Sequence, residues 1–243
     1  MPSTSGSTDF SISRDDIIKY ALLTIQAIGQ GDTPSSTQVT DASVMLNLIV
    51  KAWQADGMPL WALKQTSFVL TASSSFTIGV GKTINTPRPL RIYSAFTRDS
   101  STSPDTDLPM TIISKDEYNR LSAKETTGTP IQLYYDPQGG ATAYGTIYLW
   151  PVPDSTAVSN RTCYITYTRP FEDFDASTDI PDFPQEWYLP LTWMLAAYLG
   201  PQYGVPLAER KQLMLEAENL HQQALLAGAE EGSLFLQPTK GPY

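Results

Sequence analysis

A long stretch of strand-like sequence, residues 60–183, lies between two blocks of helix-like sequence, and this order most constrains the fold. Apolar residues recur every three or four positions in the flanking blocks, residues 13–59 and 184–231, but they alternate with polar residues in the middle. Helices and strands that are segregated along a chain are typical of the α+β class. We therefore predict a helical bundle, made of an N-terminal helix hairpin and two C-terminal helices, with an inserted antiparallel β-sandwich-like domain.

Capping and stop residues predict where the N-terminal helices lie. Ser13 begins a capping-box pattern, because a carboxylate follows three residues later, and it predicts a first helix that ends near Gly29. Thr40 or Asp41 is expected to cap a second helix, which ends before Gly57. The residues of the second helix expected to face the core are Met45, Leu48, Ile49, Ala52 and Trp53.

The C-terminal block predicts two more helices. Pro184 suits the first position of a helix, Gly200 ends that helix, and Pro206 opens a last helix. Leu215 and Leu226 fall on the polar side of this last helix, where we predict that they contact a neighbouring subunit. The alternative is that they are ordinary exposed leucines, which are common on protein surfaces. The stripe expected to face the core comprises Leu213, Ala217, Leu220, Ala224 and Ala227.

The middle region predicts short strands joined by connectors rich in Gly, Ser, Pro and Asp. Ser114 and Glu117 form a second capping box, which predicts one short helix within this region. Residues 137–143 are expected to form the loop of a hairpin. The strand candidates are residues 68–70, 90–93, 110–113, 131–135, 146–150 and 163–167.

The two ends of the chain have too few apolar residues for a core of their own. Residues 1–12 are rich in Ser and Thr and predict a flexible arm. Residues 232–243 include apolar side chains and predict an extended tail that docks on another chain. The residues expected to take part in this docking are Leu234, Phe235, Leu236, Pro238 and Tyr243.

Charge and composition argue against several classes of protein. The formal net charge of −9 argues against a protein that clamps nucleic acid phosphates, because such binding depends on lysine and arginine. The single cysteine, Cys163, excludes an intrachain disulfide framework and indicates a reducing compartment. The N-terminal sequence does not resemble a secretory signal, and the longest apolar run, residues 191–199, is too short to cross a bilayer. We expect no membrane contact.

Three segments contain residues typical of ligand-binding or catalytic sites, but none of them matches the motif of such a site. Residues 78–83 resemble a phosphate-binding loop, but Phe76 stands where that motif requires a glycine. Residues 172–179 concentrate carboxylates without the glycine and glutamate of a calcium-binding loop. The only histidine, His221, lies in the last predicted helix, where we expect it to be exposed. We therefore predict no catalytic residues, no cofactor and no metal site.

Four short segments, in their order along the chain, resemble the head-to-tail adaptor proteins of tailed bacteriophages. The resemblance extends from about residue 15 to residue 228 and indicates the connector type, similar to tail tubular protein A and to packaged-DNA stabilisation proteins. The segments are DIIKYALL at 16–23, LIVKAWQADG at 48–57, IYLWPVP at 147–153 and DFPQEWY at 182–188.

This resemblance implies a structural virion protein, made in the host cytoplasm, that acts at the head-tail junction. It implies a homo-oligomeric ring of about twelve copies, mounted below the portal protein after DNA packaging. The helical part would face the portal, the C-terminal tail would dock on it, and the β part would face the tail nozzle protein. Double-stranded DNA would pass through the ring without sequence-specific binding, because an acidic lumen repels its phosphates.

Two other functions are compatible with these residues. The first alternative is a glycan-binding or receptor-binding β module of a virion tail, which would carry exposed aromatic side chains in a groove. The second is a hydrolase that uses two of the 25 Asp and Glu residues, with Trp150 or Tyr135 stacking on the sugar, although no pair of carboxylates is singled out.

Overall fold

The structure, a computed structural model, describes residues 6–56, 60–138 and 144–228. These residues divide into two compact units. The described residues up to 60 and from 173 onward form the first, which we call the helical unit, and residues 61–172 form the second, which we call the β unit. The predicted α+β class is confirmed.

The helical unit contains four of the six α-helices found in the described part of the chain. They are α1 (Arg14–Thr24), α2 (Ser36–Asp56), α5 (Tyr188–Leu199) and α6 (Leu207–Ala227). The short helices α3 (Lys115–Arg120) and α4 (Ser155–Asn160) lie in the β unit.

Helix α1 begins as predicted but ends earlier. The Ser13 side chain accepts from the backbone amide of Asp16, and the Asp16 carboxylate accepts from the backbone amide of Ser13, which completes the capping box. The prediction that the helix continues to Gly29 is wrong, because the chain turns at Gln26, where φ is +56°. The Gln26 and Ala27 amides donate to carbonyls of the last turn, as in a Schellman motif.

Helix α2 begins before the predicted caps, Thr40 and Asp41. Ser35 and Gln38 form a reciprocal pair at its start, each side chain accepting from the other residue's amide. The predicted core face is also partly wrong, because Leu48 is 59% exposed. The buried stripe is displaced around the helix and comprises Ala42, Leu46, Ile49, Val50 and Trp53.

Helix α5 is apolar on nearly every side and lies at the centre of the helical unit. It contacts α1, α2 and α6, which explains why it has no polar face. Gly200 ends α5 and Pro206 precedes α6, both as predicted. Pro184 precedes a single 3-10 turn, Gln185–Trp187, and the α-helix itself starts after that turn.

The segment 173–183 lies in the helical unit, although its sequence grouped it with the β region. Asn47 of α2 bonds to both backbone groups of Phe174: its Nδ2 donates to the carbonyl at 3.2 Å and its Oδ1 accepts from the amide at 2.9 Å. Lys51 of α2 also pairs with Asp173. The Asp179 carbonyl accepts from the Arg14 amide at the start of α1. These bonds hold the segment against the N-terminal helices.

The β unit is built on a sheet of eight strands in the order β1, β10, β4, β5, β7, β8, β2, β3. All six strand candidates overlap strands of this sheet, to within one residue at their ends. Most pairs are antiparallel, but β2–β3 and β5–β7 are parallel, as is the separate pair β6–β9, so the prediction of a wholly antiparallel domain is wrong. The strands are β1 (Leu63–Val69), β2 (Ser75–Gly79), β3 (Ile84–Asn85), β4 (Arg91–Asp99), β5 (Thr106–Ile112), β6 (Thr127–Gly128), β7 (Gln132–Asp136), β8 (Tyr144–Trp150), β9 (Val152–Pro153) and β10 (Arg161–Thr168).

Strand β5 joins the two parts of this sheet, because its first half pairs with β4 and its end pairs with β7. Buried side chains from both parts belong to one hydrophobic cluster. Phe68 of β1 and Phe76 of β2 lie with their ring centroids 5.0 Å apart, although these strands belong to different parts of the sheet. The sheet therefore folds around one core and is nearly closed.

The two local predictions for the middle region are confirmed where the structure describes them. Ser114 and Glu117 form the reciprocal capping box of α3. Strands β7 and β8 pair as a hairpin, with Asp136 opposite Thr146. Residues 139–143 of its loop lie outside the described residues.

Replacement of Asn47 tests the attachment of segment 173–183. Asn47→Ala removes both bonds to Phe174 and leaves two partly buried backbone groups without this partner, so we expect the free energy of unfolding to fall by about 1 to 3 kcal/mol. Urea unfolding followed by circular dichroism measures the change. The control, Asn219→Ala on the exposed side of α6, should change stability by less than about 0.5 kcal/mol. Equal effects of the two substitutions would contradict this account.

The reactivity of Cys163 tests the β core. Its side chain is fully buried in β10, and burial raises the pKa of the thiol from 9.0 to about 12. The thiolate fraction at neutral pH is then about a thousandfold below that of an exposed cysteine, so we expect native protein to resist a thiol reagent that labels it quickly in urea. The same shift makes stability fall as pH rises from about 9 toward 12, because only the unfolded thiol ionises there. Rapid labelling of native protein would contradict the buried position.

Candidate interaction surfaces

The two leucines predicted to contact a neighbouring subunit are exposed on α6. Leu215 is 59% exposed and Leu226 is 75% exposed. They lie eleven positions apart, which is about three helical turns, so they share one face and are about 16 Å apart along the helix. This face is opposite Ala217 and Ala224, which are buried. We call these two leucines the outer α6 face.

The predicted docking residues of the tail, Leu234, Phe235, Leu236, Pro238 and Tyr243, lie outside the described residues. Their docking role stays a prediction. The described chain ends at Gly228, directly after α6.

An apolar groove of about 650 Å³ lies between α2, α5 and α6, and we call it the methionine groove. Its floor is formed by buried side chains that include Trp53 and Met194. Its rim includes Leu48, which is 59% exposed, and Tyr198, which is 45% exposed. The other lining residues are Met45, Ile49, Ala52, Met214, Glu218, His221 and Gln222.

His221 is buried, so the prediction that it is exposed is wrong. It is 6% exposed, and its ring stacks on the Trp53 ring at 4.4 Å with an interplanar angle of 7°. The Trp187 ring meets it edge-on at 5.5 Å. The imidazole packs as a flat aromatic surface between two indoles. The predicted apolar stripe of α6 missed it because a histidine does not contribute to an apolar pattern.

Residues 6–12, part of the predicted flexible arm, contact the helical unit. The Thr8 carbonyl accepts from Gln185 Nε2 at 2.8 Å, and the Phe10 ring lies 6.2 Å from the Tyr188 ring. Phe10 nevertheless remains 66% exposed, as Tyr20 and Leu189 are at 53% and 54%. These side chains line a second groove of about 560 Å³.

A charged and aromatic cluster occupies the outward side of β4, β5 and β10. Arg98 forms two hydrogen bonds with the Asp107 carboxylate, at 2.7 and 2.8 Å. Its guanidinium also lies over the rings of Phe96 and Tyr164, which stack on each other at 4.9 Å. The hydrogen bond from Arg98 lowers the pKa of the Asp107 carboxyl. The cluster fixes a polar and aromatic surface on the β unit.

The glycine-rich segment 78–83 does not form a phosphate-binding loop. It ends β2, turns at Gly81, where φ is +70°, and leads into β3. A phosphate-binding loop leads instead into the N-terminus of a helix, whose free amides hold the phosphate. Lys82 lies over the Tyr144 ring at 4.5 Å.

In the acidic segment 172–179, one carboxylate, that of Asp179, holds the segment's own backbone. Asp179 accepts from the amides of Asp175 and Ala176, at 2.8 and 2.6 Å. Within the described ranges, no group of three or more His, Cys, Asp or Glu side chains is arranged to hold a metal ion.

Tyr135 and Trp150, the side chains considered for sugar stacking, both take part in the fold. The Tyr135 hydroxyl donates to the Pro89 carbonyl at 2.7 Å, and burial raises the pKa of this hydroxyl to about 12. The Trp150 indole donates to the Ala123 carbonyl at 3.0 Å. These bonds favour a structural role for both residues.

Comparison with protein families supports the adaptor class. The family model described as SU10 adaptor protein matches residues 14–234, which include most of both units. The chain belongs to the SU10 adaptor protein family. No curated protein matches the chain. In the residues that the structure describes, no helix is long and apolar enough to cross a membrane.

Membership of this family identifies the chain as a bacteriophage adaptor and a component of the virion. The resemblance drawn from the four short segments is confirmed. The family is a structural one and not a family of enzymes. The surfaces described above are therefore candidates for contacts with other virion proteins.

Proposed function

We propose that this protein is a head-to-tail adaptor that forms a ring of about twelve copies below the portal, seals the packaged DNA and provides the platform for the tail nozzle. The observation on which this rests is the family match across residues 14–234. In this proposal the adaptor works by complementary surfaces and performs no chemical step.

Ring formation by a single kind of subunit requires contacts between two different surfaces of each copy, repeated until the ring closes. The outer α6 face supplies two exposed apolar residues for such a contact. Complete burial of a fully exposed leucine contributes roughly 1.5 to 3 kcal/mol, and these two leucines, which are already partly buried, contribute less than that when a neighbour covers them. The same contact recurs at every interface, so a modest energy per contact stabilises the closed ring.

The formal net charge of −9 supports a role in DNA passage. An acidic ring repels the phosphates of double-stranded DNA, so the genome can slide through the lumen without being held. A lumen lined mainly by arginine and lysine would contradict this part of the proposal.

We assign portal contact to the helical part of the chain and to the tail, through Leu234, Phe235, Leu236, Pro238 and Tyr243. A short apolar segment gains contact area on a partner without a core of its own, at the cost of the entropy lost on ordering. We assign tail-nozzle contact to the β unit.

The direct test adds purified protein to capsids that contain a portal and packaged DNA but have no tail. We expect a ring below the portal in electron micrographs, protection of the packaged DNA from nuclease, and binding of the tail nozzle protein only after the adaptor has been added. Binding of single subunits without a ring would overturn the proposal.

Substitution of the outer α6 face tests the ring contact. Leu215→Asp with Leu226→Asp places two carboxylates where the proposal puts an apolar contact, so we expect at least about a tenfold loss of ring assembly on capsids. The fold should persist, because both side chains are exposed. Assembly is measured by sedimentation of the protein with capsids.

The matched control for this test is Val80→Asp, which places a carboxylate at a residue of the β unit that is 75% exposed. This variant should form rings normally. Normal assembly of the double α6 variant would show that these leucines are not part of the interface between subunits.

Deletion of residues 232–243 tests the docking role of the tail. We expect a subunit with unchanged circular dichroism that no longer joins portal-bearing capsids, because the apolar anchors are lost. Co-sedimentation with capsids measures this loss. Replacing the same residues with a Gly and Ser sequence of equal length distinguishes loss of the anchors from loss of length. Normal attachment of both variants would show that the tail does not dock.

A further inference from the structure

The methionine groove leaves apolar surface uncovered beside the C-terminal half of α6. Leu48 and Tyr198 on its rim are 59% and 45% exposed, whereas Trp53 and Met194 beneath them are each 6% exposed. Exposed apolar surface that surrounds a concave site is typical of a binding site for an apolar group. The groove therefore suits an apolar segment better than open solvent.

The methionine side chains that line the groove suit it to apolar groups of varied shape. Met45, Met194 and Met214 line it, and methionine side chains adapt to the shape of what they contact. Its volume of about 650 Å³ is in the range of sites that hold a few side chains. The polar lining residues Glu218 and Gln222 come from α6.

The groove lies within reach of the part of the chain that follows α6. Gln222 lines the groove and lies six residues before Gly228, so the two are separated by about 9 Å along the helix axis. Six further residues lead from Gly228 to Leu234, and an extended chain of that length reaches up to roughly 20 Å. A chain of that length that reverses direction directly after α6 can therefore bring Leu234 to the groove of its own chain.

We propose that in the free subunit Leu234, Phe235 and Leu236 fill the methionine groove of their own chain. These are the first three consecutive apolar residues after α6. Their binding covers Leu48 and Tyr198 before assembly and keeps the apolar tail from contacting other proteins. The tail leaves the groove when a better partner is present.

This contact within one chain does not depend on which virion protein receives the tail. The tail can fill the groove in the free subunit even if it never contacts the portal. Failure of the tail deletion to prevent capsid attachment would overturn the portal contact and leave the groove contact intact.

Cross-linking in the full chain tests the proposal. The single natural cysteine, Cys163, is buried and its thiol has a raised pKa, so introduced cysteines react selectively. Ser233→Cys places a thiol beside the apolar triad, and Gln222→Cys places one at the groove. A short bis-maleimide reagent joins them when the triad is bound.

The matched control is Gln223→Cys in place of Gln222→Cys. Both glutamines are exposed on α6, and position 223 is one residue nearer to the tail, but only Gln222 lines the groove. Binding in the groove raises the local concentration of one thiol near the other, so we expect intrachain cross-linking at 222 to be about tenfold faster than at 223. Replacing Leu234, Phe235 and Leu236 by serine should reduce the rate at 222 to the rate at 223.

Three outcomes would overturn the proposal. Equal rates at 222 and 223 would mean that the tail is not bound at the groove. An unchanged rate after the serine substitutions would mean that the apolar triad does not cause the contact. Cross-linked dimers whose yield rises with protein concentration would assign the groove to a second copy of the chain.

Discussion

Burial of α5 is the constraint on which the helical unit depends. This helix is apolar on nearly every side, so it is stable in water only when other helices surround it. Those helices come from distant parts of the sequence: α1 and α2 precede the β unit, and α6 follows it. Segment 173–183 adds a further attachment through Asn47. The helical unit therefore cannot be complete until both ends of the chain have come together, and the β unit is a continuous insertion between them.

The sequence predicted local elements better than it predicted which faces they bury. The capping boxes at Ser13 and Ser114 could be predicted because both partners lie within four residues of each other. The end of α1 could not be predicted from the sequence, because Gln26 adopts a positive φ that is usual only for glycine and asparagine. The parallel pairs of strands were missed because strand direction depends on contacts between distant residues.

For the candidate surfaces too, features within one helix could be predicted from the sequence, and features that depend on packing between helices could not. The exposure of Leu215 and Leu226 followed from helical periodicity alone, because Ala217 and Ala224 are buried on the other side of α6. The methionine groove could not be predicted from periodicity, because it depends on the packing of three helices that are far apart in sequence. His221 completes that packing as an aromatic ring, although its residue type suggests a polar role. A search of α6 for aromatic residues at core spacing, with histidine included, would have found it.

The distribution of exposed apolar side chains suits the proposed role, in which a subunit that is stable alone then binds several partners. Leu215 and Leu226 are separated by about three turns, so neither creates a large continuous patch in the free subunit. Each becomes useful when a neighbour covers it, and a closed ring repeats that gain at every interface. The methionine groove is a larger uncovered surface, and a segment of the same chain is the covering group with the lowest entropy cost, because it is already tethered nearby. In the proposed assembly, isolated leucines make the permanent contacts and the groove, covered by the tail, makes an exchangeable one. This arrangement would keep apolar surface available for assembly without causing aggregation.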